Sequence, residues 1–428
     1  MSLYVHREFK GNYQLVGSLD RETGNTVFTY NEDYLLSSSP HPISVQLPLQ
    51  TSTFSAERTA AFFSGLIPEG SLRSDIAEAA RLNKRDYLGI LNQVKNEPIG
   101  ALLFSNETEL TGIRPSYEEL SLNSLKKLAV APAETAFDLT LESRISLAGA
   151  QSKIGLYHAD SDPDKGWFLP KGSAPSTHII KACPKAFPGE TICEALCMRA
   201  ARYMDLPAEE CFLISTGNEE PLIAVKRYDR TFEAGKSNLF SGLPAPIRLH
   251  QEDMCQALGI NPDLKYEPSD ANYLGLMHSV LASHSCNPME DRFTLAYYQL
   301  FDYAVGNCDN HLKNWSILYS ADWEDISLSP LYDVVDTAIF PKLSREMGVS
   351  FGGNRIIDDV KSEMISERLS AIGVKGVVAG SMFSDMENEL IPSLEKAAAE
   401  IADEGFPYAK EILEKMKPGI AERLDELH

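Results

Sequence analysis

The sequence lacks any apolar run near the roughly 18 residues a membrane-spanning helix needs, so no membrane span is expected. It also lacks a CxxC pair and any Cys/His spacing of the zinc type. Its seven cysteines, at 183, 193, 197, 211, 255, 286 and 308, are odd in number. A disulfide framework and a structural metal are therefore not indicated. Several of these cysteines fall in apolar helical patterns, where a free thiol acts as a small hydrophobe. The N-terminal MSLYVHREFKGNYQ carries charge early and has no apolar signal segment. The expected setting is a reducing cytoplasm. Positive charge is scarce too: 39 basic residues stand against 61 acidic ones, for a net charge of −22. Such a field repels phosphate backbones and argues against autonomous, non-specific nucleic-acid binding, while a local basic patch could still touch DNA in the company of a basic partner. The acidic residues are scattered, as on a solvated surface. Repeats and low-complexity tracts are absent.

What is present is ample core material. Hydrophobic residues make up 43% of the 428, enough for about two to three structural units. Residues 1–105 read as a small N-terminal α/β subdomain. YQLVGSLD, NTVFTY and PISVQLPL alternate like strands, helices are expected around 57–65 and 74–92, and PIGALLF reads as a strand. Residues 106–139 read as a connection, rich in Thr, Glu, Ser and Pro up to 135. Residues 140–248 are strand-rich, apart from the amphipathic helix ETICEALCMRAARYM, and 249–428 are mainly helical. Strands followed by helices predict an α+β, two-lobed fold.

The most informative window runs from 293 to 336. Phe293, Ala296, Tyr297, Leu300, Phe301, Ala304 and Val305 recur on one helical face, so a buried helix is expected. Gly306 and Asn307 end it, the loop CDNHLKN follows, and WSILY and ISLSPLY read as a hairpin with Asp333 directly after. Phosphoryl transfer needs a carboxylate to orient the attacking hydroxyl and oxygen ligands for Mg2+ on the nucleotide. Asp309, Asn314 and Asp333 supply them as D-x4-N, hairpin, D. Asp309 would position the acceptor, and Asn314 and Asp333 would hold the metal. A bare D-x4-N also fits a capped turn. The buried helix before it and the hairpin and second Asp after it make the kinase reading the stronger one. His311 either touches the transferred phosphate or braces the loop.

A second constellation is SLAGAQSK at 146–153. Gly149 between two alanines permits close backbone approach to an anion. The segment is neither a Walker A loop nor GxGxxG, and by spacing alone it is a turn. Lys181, ending the apolar strand HIIK, either reaches phosphates or is an ordinary strand-end lysine. Glu194, on the following helix, either pairs with such a lysine or is solvated. The strand AVKRYDR offers main-chain groups suited to adenine.

Together these windows resemble the HipA family of bacterial toxin kinases. SLAGAQSK, STHIIK, VKRYDR, LHQEDMCQALG, GNCDNHLKNWS and LSPLYDVV match the signature stretches of that family, in order. The likeness spans the chain, its N-terminal part matching by layout. The resemblance implies a two-lobed, HipA-like protein-kinase fold and an ATP- and Mg2+-dependent serine/threonine kinase. It implies Asp309 as catalytic, Asn314 and Asp333 as metal ligands, and Lys181 on the nucleotide phosphates. Lys226 and Tyr228 would serve adenine through their backbone. It makes the segment holding Ala148, Gly149, Ala150 and Gln151 the phosphate loop. Ser146 would be the autophosphorylated serine that switches the kinase off. Gln251 matches a family glutamine near the active site and is grouped here with the nucleotide-binding residues. Ser152 departs from the family's frequent Glu and adds a second possible phosphoacceptor. The implied partners are a small helix-turn-helix antitoxin (HipB-like) and, through it, operator DNA. The implied substrate is an aminoacyl-tRNA synthetase, such as the glutamyl enzyme. Two other readings are an aminoglycoside-type phosphotransferase, which shares D-x4-N, and a catalytically silent co-repressor.

Overall fold

The computed structural model describes residues 1–22, 24–94, 99–110, 114–143, 147, 151–217, 220–232, 238–352 and 355–427. The chain forms two compact units that are discontinuous in sequence. The first comprises Met1–Pro184, Ile214–Pro262 and Leu318–Ile326, and the second Lys185–Leu213, Asp263–Ile317 and Ser327–His428. Among the described residues no helix is long and apolar enough to cross a membrane.

The first unit begins with an antiparallel sheet of β1 (Ser2–Phe9), β2 (Asn12–Glu22), β3 (Asn25–Tyr30) and β4 (Leu102–Ser105), in the order β3-β2-β1-β4. Leu3, Val5, Val16, Leu19 and Phe28 are fully buried, as a pleated face closing on a core requires. β1 was not anticipated, because its His, Arg and Glu obscure the alternation; Arg7 is nevertheless buried, its guanidinium over the Phe9 and Tyr34 rings.

PISVQLPL is not a strand. Residues 41–50 are irregular, and their backbone bonds go to side chains instead of a ladder. Ile43 N–H donates to the Tyr30 hydroxyl (3.0 Å), the Tyr30 hydroxyl to Leu47 O (2.5 Å), and Val45 N–H to Glu252 (3.0 Å). Pro42 and Pro48 have no N–H to give a sheet. The expected helix at 74–92 is two helices, Gly70–Ala79 and Tyr87–Gln93, the second N-capped by Asp86. The supposed connection is structured as well. β5 (Ser116–Glu119) is followed by helices Leu122–Val130 and Pro132–Ser143.

β5 belongs to a second sheet with β6 (Lys153–His158), β7 (Trp167–Lys171) and β8 (His178–Lys181), in the order β5-β7-β6-β8 and then strand Leu222–Lys226. The second unit is helical, with Glu190–Tyr203, Tyr273–His284, Pro288–Val305, Ser362–Ala371, Val377–Asp403 and Tyr408–Asp425. Cys193 and Cys197 lie fully buried within Glu190–Tyr203. The expected α+β class is the observed one.

Candidate active site

Helix Pro288–Val305 carries its burial further round than one face. Phe293 and Tyr297 are only partly covered, while every residue from Tyr298 to Val305 is buried, Gln299 and Asp302 included. The helix ends at Gly306 with φ 90°, a left-handed cap. That φ favours glycine, and a Cβ at Gly306 would also press on the ends of the Asp336 and Arg423 side chains.

The loop that follows is clamped by buried amides. Asn307 Nδ2 donates to the Asp302 carboxylate (2.8 Å), and its Oδ1 accepts the Asp309 N–H (3.1 Å). Asn310 pairs with the backbone of Val349, accepting its N–H (3.0 Å) and donating to its carbonyl (3.2 Å). Trp315 Nε1 donates to Asn310 O (3.0 Å), and Gly348 N–H to Cys308 O (2.9 Å). A Cβ on Gly348 would lie 2.6 Å from the His311 nitrogen, so this backbone-to-backbone approach needs glycine. Burial pushes the Asp302 carboxyl up to about 7, against hydrogen bonds from Asn307 and Asn310 that favour its ionised form.

On this frame Asp309, His311 and Asn314 come together. The Asp309 side chain is 54% exposed, with the Tyr266 hydroxyl donating to its Oδ1 (2.6 Å) and His311 Nε2 4.0 Å from the same oxygen. Asn314 is buried and donates from Nδ2 to the Asp309 carbonyl (2.8 Å). That leaves its Oδ1 without a partner among the described residues. The Tyr332 hydroxyl donates to Lys313 O (2.9 Å) and meets the Ser316 hydroxyl (2.6 Å), fastening the segment that carries Asp333 to the same loop.

Asp333 does not follow the hairpin directly. Strand Ile326–Leu328 ends five residues earlier; Pro330 has no N–H to extend the ladder, and Leu331 N–H turns to Pro207 O (2.8 Å). Asp333 itself sits at φ 61°, a left-handed conformation that non-glycine residues hold mainly where the surroundings enforce it.

The other predicted residues belong to the first unit. Lys181 ends β8, largely buried, with Ile223 and Lys153 as its register partners on the two flanking strands. Gln151 Nε2 donates to Ala182 O (3.2 Å). Lys226 is exposed and Tyr228 half-buried; the Tyr228 hydroxyl donates to Gln251 Oε1, and Gln251 Nε2 to Asp229 Oδ2 (3.3 Å). Asp229, 2% exposed, is gripped by Arg227 (2.9 and 2.7 Å), Arg230 (2.8 Å) and the Gly100 N–H (3.0 Å). Burial opposes its ionisation, yet the two guanidiniums hold its carboxyl well below the usual range. Ser146, Ala148, Gly149 and Ala150 lie outside the described residues.

Sequence reading missed the arginine–aspartate network and Tyr266. Arg227 and Asp229 carried a signal, since residues two apart on an extended chain share a face. Tyr266 carried none.

Two family models match the chain: the HipA N-terminal domain over residues 10–105 and the HipA-like C-terminal domain over 145–404. A Sinorhizobium fredii protein provisionally named kinase Y4mE is 32% identical over 349 residues, 79% of each chain. The serine/threonine-protein kinase toxin HipA of Shewanella oneidensis is 23% identical over 351 residues, 78% of this chain and 76% of that one. A HipA structure from Shewanella oneidensis, solved with HipB and its operator DNA, superposes with a TM-score of 0.76 at 18% identity, covering 99% of both chains.

Proposed function

The chain belongs to the HipA-like kinase family, and on that premise we propose that it is an ATP- and Mg2+-dependent serine/threonine protein kinase serving as the toxin of a toxin–antitoxin pair. The observation that carries this reading is the state of the 309–314 loop. Asp309 presents an exposed carboxylate, and Asn314 spends its amide N–H on the Asp309 carbonyl, with its Oδ1 bonded to no described residue. Among the described residues no cluster of three or more His, Cys, Asp or Glu side chains is placed to hold a metal. A Mg2+ ion held there would be completed by nucleotide oxygens and water.

In this reading Asp309 orients the acceptor hydroxyl and accepts its proton, while Asn314 Oδ1 and the Asp333 carboxylate hold the metal. Mg2+, when bound, neutralises charge on the nucleotide phosphates. Lys181 meets the phosphates; the register sets Lys153 opposite it. Gln151 and the segment with Ala148, Gly149 and Ala150 form the phosphate loop, and Lys226 and Tyr228 take adenine through their main chain. Gln251, bonded to the Tyr228 side chain, steadies that stretch. His311 braces Asp309 or touches the transferred phosphate. Ser146 is the autophosphorylation site that turns the enzyme off.

The partners that follow are a HipB-like helix-turn-helix antitoxin, operator DNA through that antitoxin, and a cytoplasmic substrate of the aminoacyl-tRNA synthetase class, such as the glutamyl enzyme. The relative from Shewanella oneidensis was solved with HipB and operator DNA, which supports the antitoxin partner. Asp309→Ala is expected to abolish autophosphorylation and growth arrest while leaving the circular dichroism spectrum intact; an unchanged growth arrest would refute the kinase mechanism. Phosphoproteomics after induction would identify the substrate, and phosphopeptide mapping would separate Ser146 from Ser152.

A further inference from the structure

We infer that Tyr266 is the positioning residue of the catalytic carboxylate: it ties down Asp309 Oδ1 so that Oδ2 faces the acceptor hydroxyl. The inference rests on the reading of Asp309 as the acceptor-orienting base.

The two oxygens of Asp309 are unequal. Oδ1 accepts the Tyr266 hydroxyl at 2.6 Å and has His311 Nε2 at 4.0 Å. Oδ2 has no partner among the described residues. An aspartate's terminal torsion is broad and roughly two-fold, so an exposed carboxylate without a tether would present either oxygen at many angles. One short hydrogen bond to one oxygen removes that freedom and leaves the other to receive a proton, which a general base must do from about 2.6–3.2 Å.

Tyr266 is itself exposed, at 45%, yet its location is set on both sides. Lys265 O accepts the Leu312 N–H (3.1 Å), docking the segment onto the catalytic loop, and Glu267 N–H donates to Gly348 O (2.8 Å). The buried Glu267 carboxylate takes the N–H groups of Tyr273 (2.7 Å) and Ser350 (2.8 Å). Between these anchors the tyrosine ring stands edge-to-face on His311, with centroids 5.1 Å apart, and the Lys265 ammonium lies 5.4 Å from its centroid. The ring is thus held by its neighbours, and the hydroxyl reaches the carboxylate from a fixed base.

The test is Tyr266→Phe in the full-length protein, which keeps the ring and removes the hydroxyl. Single-turnover autophosphorylation with γ-labelled ATP is followed over a range of ATP concentrations, beside the thermal midpoint and an Asp309→Asn control. The expected result is a rate at saturating ATP lowered about 10–100-fold, as for groups that orient a ligating or catalytic side chain. The half-saturating ATP concentration and the melting midpoint stay as in the parent protein. A rate equal to the parent's overturns the inference, as does a faster rate, which would mark a plug, or phosphate mapped to Tyr266 itself. An inactive Asp309→Asn beside a parent-like Tyr266→Phe overturns this inference alone. An active Asp309→Asn overturns it together with the reading it rests on.

Discussion

Asp229 in the first unit and Asp302 in the second are each 2% exposed, and their carboxyls are driven in opposite directions. Asp229 lies between Arg227 and Arg230 and stays ionised far into acid. Asp302 has only the amides of Asn307 and Asn310 and is pushed up to about 7. Desolvation is common to both. The sign of the result is decided by whether the partners carry full charge, because Coulombic attraction is large where the dielectric is low and an amide dipole supplies only part of it. The frame around Asp229 is therefore an ionic lattice, and the frame beneath the 307–314 loop is a neutral amide lattice. An ionic lattice resists breakage of a single member, since removing one charge strands the others. A neutral one lets a carboxyl change protonation without stranding a full countercharge.

Isosteric substitutions test that contrast. The largest effect is expected from Asp229→Asn, which removes the countercharge that Arg227 and Arg230 share and costs about 3–5 kcal/mol in urea unfolding at pH 7; a loss below about 1 kcal/mol would dissolve the distinction. Gly348→Ala is next. Its new Cβ presses the backbone at His311, so a loss of about 1–3 kcal/mol should accompany a slower phosphoryl transfer, read by melting and single-turnover kinetics. Asn307→Ala removes both the donor to Asp302 and the acceptor for the Asp309 N–H. About 1–2 kcal/mol should be lost, along with catalytic rate.

The smallest effect belongs to Asp302→Asn, expected to lie within about 1 kcal/mol of the parent because the position already favours a neutral group. Its signature is the pH dependence. With a folded value near 7 against 3.8 unfolded, the native state binds the extra proton. The Asp302 contribution is therefore full below about pH 4 and is lost as pH rises to about 7. In Asp302→Asn that decline disappears from the stability profile. Asp229 has the reverse sign: its contribution is present at neutral pH and is lost as acid protonates it. Identical pH slopes in Asp302→Asn and the parent would show that Asp302 titrates like an exposed carboxylate.

Much of the site was legible because its chemistry is local in sequence. Asp309, Asn314 and the helix ending at Gly306 sit within a few residues of one another, and the 3₁₀ turn Leu312–Asn314 converts that spacing directly into geometry. Strands such as His178–Lys181 and Leu222–Lys226 alternate or run apolar as strands should, so Lys181 and Lys226 were readable at their ends. PISVQLPL was misread because burial of Ile43 and Leu47 mimics a pleat, while the partners of the stretch, Tyr30 for Ile43 and Leu47 and Glu252 for Val45, lie outside it in sequence. The 106–139 segment, read as a connection, carries a strand and helices that its polar composition hides, the helices being as short as Leu122–Val130.

The sequence by itself determined which residues are candidates for the chemistry, how far apart they stand along the loop, and the family to which the chain belongs. Only the tertiary structure decided which oxygen of Asp309 is tethered, that Asn314 presents its oxygen and not its nitrogen, and that Asp229 and Asp302 ionise differently. Each of those outcomes is set by a group brought close by folding, such as Tyr266, 43 residues from Asp309, or by the loss of water on burial. Neither can be read from spacing, because hydrogen-bond direction and desolvation depend on what surrounds a side chain in space.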